Sequence, residues 1–582
     1  MSGYAKTSSW FDLPIPPPNW IQVAKMGRSA EEKVWSRREI ENLIAEGRKV
    51  VIVDDKVLKV DAWLPYHPGG DKAIKHMVGR DATDEVTALH SAETKQMMLK
   101  FKIGCIQGPW VNFTPPIQGG KFRLISDDCR DENIVSEDAA NASGSDLLSS
   151  GSATPTSSAS ERDFVFDPRL RQRKPVVDTS SISSASEGED EATLALKQEQ
   201  ERRLLEDLNM YPSLDMATQQ NIIKKYRQLD QKLREKGLYQ CNYWAYGWEC
   251  LRYFTFVGLF VYFLKTGWFK LSALFLGILW HQLTFTVHDA GHMGITHNFV
   301  IDSFIGIFLA DFCGGLSVCW WKRNHNVHHI VTNEPDHDPD IQHLPFFAID
   351  QKFFRSLYST YYDRVMEYDR FAQFVIRAQH WLYYPMLCFG RLNLYVRSWE
   401  YIILGYSPKK GVAAWHRYAE MLGMCVFWTW YGYGVLYKSL PTTSDRIIFF
   451  AITHVVPMPV HVQITLSHFA MSTSDIGVAE SFPQRMLRTT MDVDCPKWLD
   501  FFHGGLQFQI IHHLYPRMPR HNLREAQKYV MEFCKDVGIP YALYGFYDGN
   551  KQVIGRLAEV SKQAAIFREC QNYCMENPSH SH

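Results

Sequence analysis

Hydrophobic and polar positions divide the chain into unlike stretches. Ile40, Leu43 and Ile44 recur at helical spacing just after Ser36 and Glu39, the pair that opens a helix as a capping box. Val50 to Val53 and Val57 to Val60, parted by Asp54-Asp55, read as a short hairpin. Before them, residues 1 to 30 carry Pro14, Pro16, Pro17 and Pro18 and little periodicity, an extended lead-in. The pattern predicts a small α+β module over 31–107. From 108 to 190, runs such as SSGSATPTSSAS hold too few large apolar side chains to offset the entropy of ordering them. A disordered tether is expected there, spanning on the order of 50 Å. Residues 191–240 are charged at helical spacing and read as a solvated helical connector, with a docking surface as the alternative.

After Gln240 the polarity falls away. Tyr253 to Leu264, extended backwards across Glu249 and Arg252, forms one apolar stretch; Leu271 to Val287, Met421 to Tyr437 and Ile447 to Ser467 carry no charge. These are spanning lengths for a hydrocarbon core of about 30 Å. Phe299 to Trp321 and Phe371 to Leu404 are apolar but interrupted by Asp302, Asp311, Arg377 and Arg391, as expected of helices lying in the interface or against the bundle. The predicted spans pair into two hairpins through the short loops Lys265 to Lys270 and Lys438 to Arg446. Everything else then lies on the opposite face. No charged-then-apolar leader opens the chain, so that face and both termini are expected in the cytosol. Lys322, Arg323, Lys409 and Lys410 agree with this orientation, whereas Lys265, Lys270 and Lys438 flank the short loops. The expected fold is therefore multi-domain: the α+β module, the tether, the connector, an all-α four-span membrane domain over 241–530 and a cytosolic tail over 531–582.

The 582 residues include 62 basic and 63 acidic side chains, a net charge of −1, which implies no general attraction to nucleic acid. Mean hydropathy is only −0.24 because it averages the tether with the spans. Cysteines occur without C-x-x-C, so reduced thiols are expected and a secreted disulfide scaffold is excluded.

Histidines cluster where the predicted spans meet the cytosolic face. HDAGH at 288–292, HNVHH at 325–329 and QIIHH at 509–513 place His288 with His292, His325 with His328 and His329, and Gln509 with His512 and His513 on single helical faces. So many imidazoles exceed what one structural or catalytic ion takes, and point to two. Imidazole alone does not choose among iron, zinc, copper and nickel. His454, His461 and His468 repeat along one stripe, with the first two about 20 and about 10 Å up the helix from the third. His454 and His461 are read, like His281, as hydrogen-bonded interior groups; His297, His337, His343 and His503 are read as polar neighbours of the boxes. Asp289 is a candidate partner for a ligand's second ring nitrogen.

In the N-terminal module, His67-Pro68-Gly69-Gly70 is followed by GRDATDEV at 79–86 and then His90-Ser91. Glycines beside the first histidine leave room for close approach of a flat macrocycle. WLPYHPGG to ALHSAET resembles the cytochrome b5 family. The resemblance implies that His67 and His90 are the axial ligands of a b-type haem, which with both positions filled passes electrons and does not bind oxygen. It gives His76 no ligand role, and His76 is read as a surface residue.

A haem wire, a tether, paired metals and a membrane together suggest redox chemistry on a lipid chain; hydrolysis at zinc would need no electron donor. The pattern HxxxH, HxxHH, QxxHH over roughly 240–530 resembles the membrane fatty-acyl and sphingolipid desaturases with a fused cytochrome b5. WKRNHNVHHIVTNEPDHDPDIQHLP and FFHGGLQFQIIHHLYPRMPRHNL resemble most closely the fungal delta-8 sphingolipid desaturases, although Ile511 stands where many relatives carry Glu. The resemblance implies two non-haem iron ions held by His288, His292, His325, His328, His329, His512 and His513, with His468 as an eighth candidate, and a water near Gln509. It also implies O2 as oxidant, a ceramide or other lipid substrate, an NADH-dependent cytochrome b5 reductase as donor, and a multi-pass home in the endoplasmic reticulum membrane. Three other readings stay open on spacing alone: a front-end desaturase of fatty-acyl lipids, a lipid hydroxylase with the same metal pair, and a haem-bearing adaptor whose histidines hold structural zinc.

Overall fold

The computed structural model describes residues 32–122 and 191–576, so the lead-in and residues 123–190 of the expected tether lie outside the described residues. In the N-terminal module, β1 (Val34–Trp35), β2 (Val50–Val53), β3 (Lys56–Lys59) and β4 (Lys102–Ile106) form one sheet in the order β1-β4-β3-β2. The hairpin closes where expected, with Asp54 and Asp55 at φ 49° and 60°, a turn whose twist matches that of the flanking strands. Helix Arg37–Ala45 starts on the expected capping box: the Ser36 side chain accepts from Glu39 N, and Glu39 bonds back to the Ser36 backbone.

Residues 108–122 are not tether but folded cover. Trp110 Nε1 donates to Gly79 O at 3.1 Å, and Phe113 joins Ile40, Ile44 and Val50 in one core cluster. Two aromatic rings suffice to pin this stretch, and the polar average over 108–190 concealed them. The connector also differs from its solvated reading. Its second helix, Met216–Glu235, buries Ile222, Tyr226, Leu229 and Leu233 among Met486, Ile510 and Leu514, and Tyr226 donates to Leu514 O at 2.8 Å. The apolar stripe is narrow but regular, and charges on the other faces outweighed it in the composition.

In the helical part, Tyr243–Lys265 and Phe269–Gly291 pack as a hairpin. Among the described residues, Phe269–Gly291 and Thr443–Leu466 are long and apolar enough to cross a membrane, the second running through Pro457 as two segments. The stretch expected as a span at Met421–Tyr437 is helix His416–Phe427 widening into a π-helix, Trp428–Ser439. Trp244, Phe254 and Trp381 stand 84%, 74% and 78% exposed, apolar surface left uncovered among the described residues. Helices Arg370–Arg377, Gln379–Leu387 and Gly390–Leu404 divide the long interrupted stretch, burying Arg391 while Phe374 and Ile403 remain exposed.

The C-terminal segment, expected to return to soluble character and pack under the metal face, is built into the core. Helix Phe546–Glu576 places Val553, Leu557 and Val560 in the same cluster as Tyr383, Leu466 and Phe469. Leu466 and Phe469 flank His468, so the last helix backs one wall of the histidine site.

Candidate metal centres

The N-terminal pair is positioned by two local turns. His67 follows a short 3-10 helix, Leu64–Tyr66, and His90 caps helix Thr83–Leu89. The His67 Nδ1 donates to Gly70 O at 2.6 Å and His90 Nδ1 donates to Val86 O at 3.2 Å, which leaves both Nε2 atoms turned toward each other. Their ring centres stand 6.0 Å apart. Two imidazole nitrogens on opposite sides of one metal, each about 2 Å from it, put ring centres at about that distance. Burial lowers both imidazoles from their ordinary value, His90 to about 3, so both are neutral donors. The pair fits an axially held haem.

The glycines beside His67 face something the sequence did not disclose. A Cβ at Gly69 would come within 2.5 Å of Asn326 Nδ2, and one at Gly70, where φ is +83°, within 2.8 Å of Arg323 Cγ. Both neighbours belong to the helix of the second histidine box, Val318–Ile330. His76, read as a surface residue, is fully buried by the same neighbour domain, with its ring 5.3 Å from that of His337.

The three boxes, far apart in the chain, meet in one place. His288 ends helix Phe269–Gly291 and His292 caps it; His325, His328 and His329 lie on Val318–Ile330; His512 and His513 lie on the short helix Gln509–Leu514. Ligand atoms of His288, His292, His325 and His512 fall within 4.8 Å of one another, as do those of His328, His468 and His513. His329 lies between the groups: its Nε2 is 3.1 Å from both His325 Nε2 and His512 Nε2, and its ring centre is 4.3 Å from that of His513. A metal bound at about 2 Å sets neighbouring nitrogens about 3 Å apart. His292 Nε2, His329 Nδ1 and His513 Nε2 are buried without a hydrogen-bond partner, an arrangement costly unless something else binds there.

Charge and orientation favour neutral ligands. Burial lowers His325 to about 4 and holds His329, His512 and His513 well below their ordinary value. Burial acts the same way on His328, yet Asp338 and Asp340 together hold it above that value. His328 Nδ1 donates to Asp338 Oδ2 at 2.9 Å, and His325 Nδ1 faces Asp340 Oδ2 at 3.5 Å. His468 Nδ1 faces Thr489 O at 3.4 Å. Such partners fix which nitrogen is left for a metal. The donor set fits two adjoining ions.

Asp338 and Asp340 escaped the sequence reading because they sit in an irregular loop, where spacing says nothing about direction. Asn333, at φ 60°, completes the brace: its N–H donates to Asp338 Oδ2 at 2.8 Å and its side chain to His468 O at 2.9 Å. Asp289, expected to support a ligand, lies 3.8 Å from His288 Nδ1 but chiefly serves a buried network with Arg520 and Tyr246, in which Glu249 also pairs with Arg520. This network ties the first box to the segment just after the third. Gln509 is buried at the start of its helix.

The other histidines fall outside both groups. His281 stacks on Phe502, His454 bonds Phe450 O and Tyr395, His297 bonds Met293 O and Tyr239 O, and His503 bonds Gln463. His343 packs on Phe469, and His461 lies against Gly390.

Replacement of Asp338 by Asn is expected to weaken metal retention by about 10- to 100-fold, since it removes the carboxylate that orients His328. Metal content after dialysis against a chelator checks this; unchanged retention would show that Asp338 orients nothing.

Comparison with known proteins agrees with this division. Residues 266–545 match the fatty acid desaturase family, and residues 36–107 match the cytochrome b5-like heme/steroid binding domain. The chain is 57% identical to a delta 8-(E)-sphingolipid desaturase of Emericella nidulans, covering 95% of this chain and 98% of that protein. Proteins of the same description from Kluyveromyces lactis and Candida albicans are 50% and 46% identical, covering 92% and 93% of this chain and 94% and 98% of theirs.

Proposed function

Because the chain belongs to the fatty acid desaturase family, in the branch with a fused N-terminal cytochrome b5-like domain, we propose that it is a delta-8 sphingolipid desaturase acting on the long-chain base of ceramides. It is a lipid-oxidising enzyme whose cofactors are a b-type haem and two non-haem iron ions. His67 and His90 would hold the haem. His288, His292, His325, His328, His329, His512 and His513, with His468, would hold the irons. When bound, the iron pair supplies the oxidising power by which two hydrogens leave neighbouring carbons and, with two electrons and two protons, O2 becomes two waters.

The chain's own residues make that chemistry selective. Burial disfavours the charged form of His292, His325, His329, His512 and His513, so their nitrogens are available to metal. Asp338, Asp340 and Thr489 O turn the rings of His328, His325 and His468. His329, His512 and His513 are at most 4% exposed, and such burial shields an oxidising centre from side reactions.

The observation that carries this reading is the joining, in one chain, of a two-histidine haem pocket to two adjoining histidine groups. The preference for a sphingolipid over a fatty-acyl lipid rests on the names of the relatives. Two candidate membrane helices and the uncovered aromatic surface support membrane embedding; four spans, cytosolic termini, the endoplasmic reticulum and an NADH-dependent reductase belong to the proposal.

Mass spectrometry of sphingoid bases and fatty acids from a host lacking such enzymes, with and without the protein, tests it. The expected product is a sphingoid base with a trans double bond at carbon 8. An unsaturated fatty acid with unchanged sphingoid bases would favour front-end acyl desaturation. A product heavier by one oxygen would favour hydroxylation. Zinc in place of iron, with no new lipid, would leave only the adaptor.

A further inference from the structure

The face of helix Val318–Ile330 turned away from the metal groups is not free. Val327 and Ile330 on this helix, with Val331 and Tyr361, share one core cluster with Val51 and Met77 of the N-terminal module. Charged groups ring this apolar contact. Arg323 pairs with Asp71 at 3.1 Å, and Arg485 pairs with Glu85 at 3.3 Å, both members of the latter being buried. Lys72 is 5% exposed; its Nζ donates to Thr360 O at 2.7 Å and to Asp363 Oδ1 at 2.6 Å. His76 is buried by the same contact and faces Thr360 Oγ1 at 3.4 Å. Lys72 and His76 lie on the outside of a small module, so only the neighbouring domain can bury them.

We propose that the haem module works from a fixed seat on the outer face of the second-box helix, with Lys72, Arg323 and Asn326 as the residues that position it. This rests on the functional reading above and adds where and how the donor is held. The helix is a shared wall. Asn326 lies against the His67 loop, and on the same helix His325 and His328 belong to the two histidine groups. That helix would separate a haem held by His67 and His90 from irons held by His325, His328 and His329, so one electron passing from ferrous haem to a ferric iron would cross it with no bond formed or broken. Free diffusion at the end of a tether would need no buried lysine and no glycine opposite Asn326. A buried ion pair is costly when one partner is removed, so the seat discriminates against partly docked orientations.

The test uses the full chain, reconstituted with haem and iron. In the resting protein, labelling of His76 by diethyl pyrocarbonate, read by mass spectrometry, is expected to be slow. In Lys72→Glu it is expected to approach the rate of free histidine, with the reduced-haem absorbance retained, because Lys72 contacts the partner domain. Reoxidation of pre-reduced haem in air-saturated buffer is expected to slow at least tenfold in Lys72→Glu and to recover in Lys72→Arg. Arg323→Glu is expected to behave as Lys72→Glu does. Rapid His76 labelling in the parent protein, or haem reoxidation unchanged in both charge reversals, would overturn the fixed seat. Neither readout depends on which lipid is oxidised, so failure of the sphingolipid reading would appear separately, in the product analysis.

Discussion

His512→Ala is expected to abolish formation of the double bond while leaving the reduced-haem absorbance unchanged. His512 meets the first box and the second: its ring centre is 4.4 Å from that of His288 and 4.7 Å from that of His292, and its Nε2 is 3.1 Å from that of His329. Alanine removes a nitrogen that neither neighbour can replace, because each is fixed on its own helix. Loss of an orienting partner typically costs 10- to 100-fold, so loss of the ligand itself is expected to exceed about 100-fold in product formed. Sphingoid-base analysis, haem spectra and non-haem iron content on the same preparation check it. Retained product would place the chemistry elsewhere.

His67→Ala is expected to do the reverse at first and the same in the end. The haem absorbance disappears, iron content is kept, and product falls to background because no electron reaches the irons. His90→Ala should behave alike, since the two rings oppose one another across 6.0 Å and neither has a substitute nearby. Added soluble cytochrome b5 is not expected to restore full activity, because the collapsed module still occupies the wall it would need. Full activity in His67→Ala without additions would show that another donor suffices, and the module would then have a different purpose.

Much of this was legible beforehand, for definite reasons. The histidine boxes declared themselves because helical spacing converts sequence directly into a shared face. The capping box at Ser36 and Glu39 and the turn at Asp54-Asp55 are equally local, and both appear as read. His468 was named because the family resemblance implies one more histidine at the end of the fourth expected span. What escaped is tertiary. Asp338 and Asp340 act through loop geometry that no periodicity encodes. His76 belongs to the surface of its own module and becomes interior only when another domain lies on it. The glycines at 69 and 70, read as room for a macrocycle, also lie against Asn326 and Arg323 of another domain, which spacing could not disclose. The connector helix concealed its buried stripe behind charges, and the widening of the stretch at Met421–Tyr437 into a π-helix from Trp428 has no signature in its apolar pattern.

The long C-terminal helix alters how the protein should be divided. Its leucine and valines interlock with Leu466 and Phe469, on either side of His468, so trimming the chain near residue 530 to obtain a minimal catalytic fragment would open the hydrophobic backing behind one side chain of the second histidine group. A reporter fused beyond residue 576 leaves that backing whole, whereas a shorter expression fragment would forfeit it.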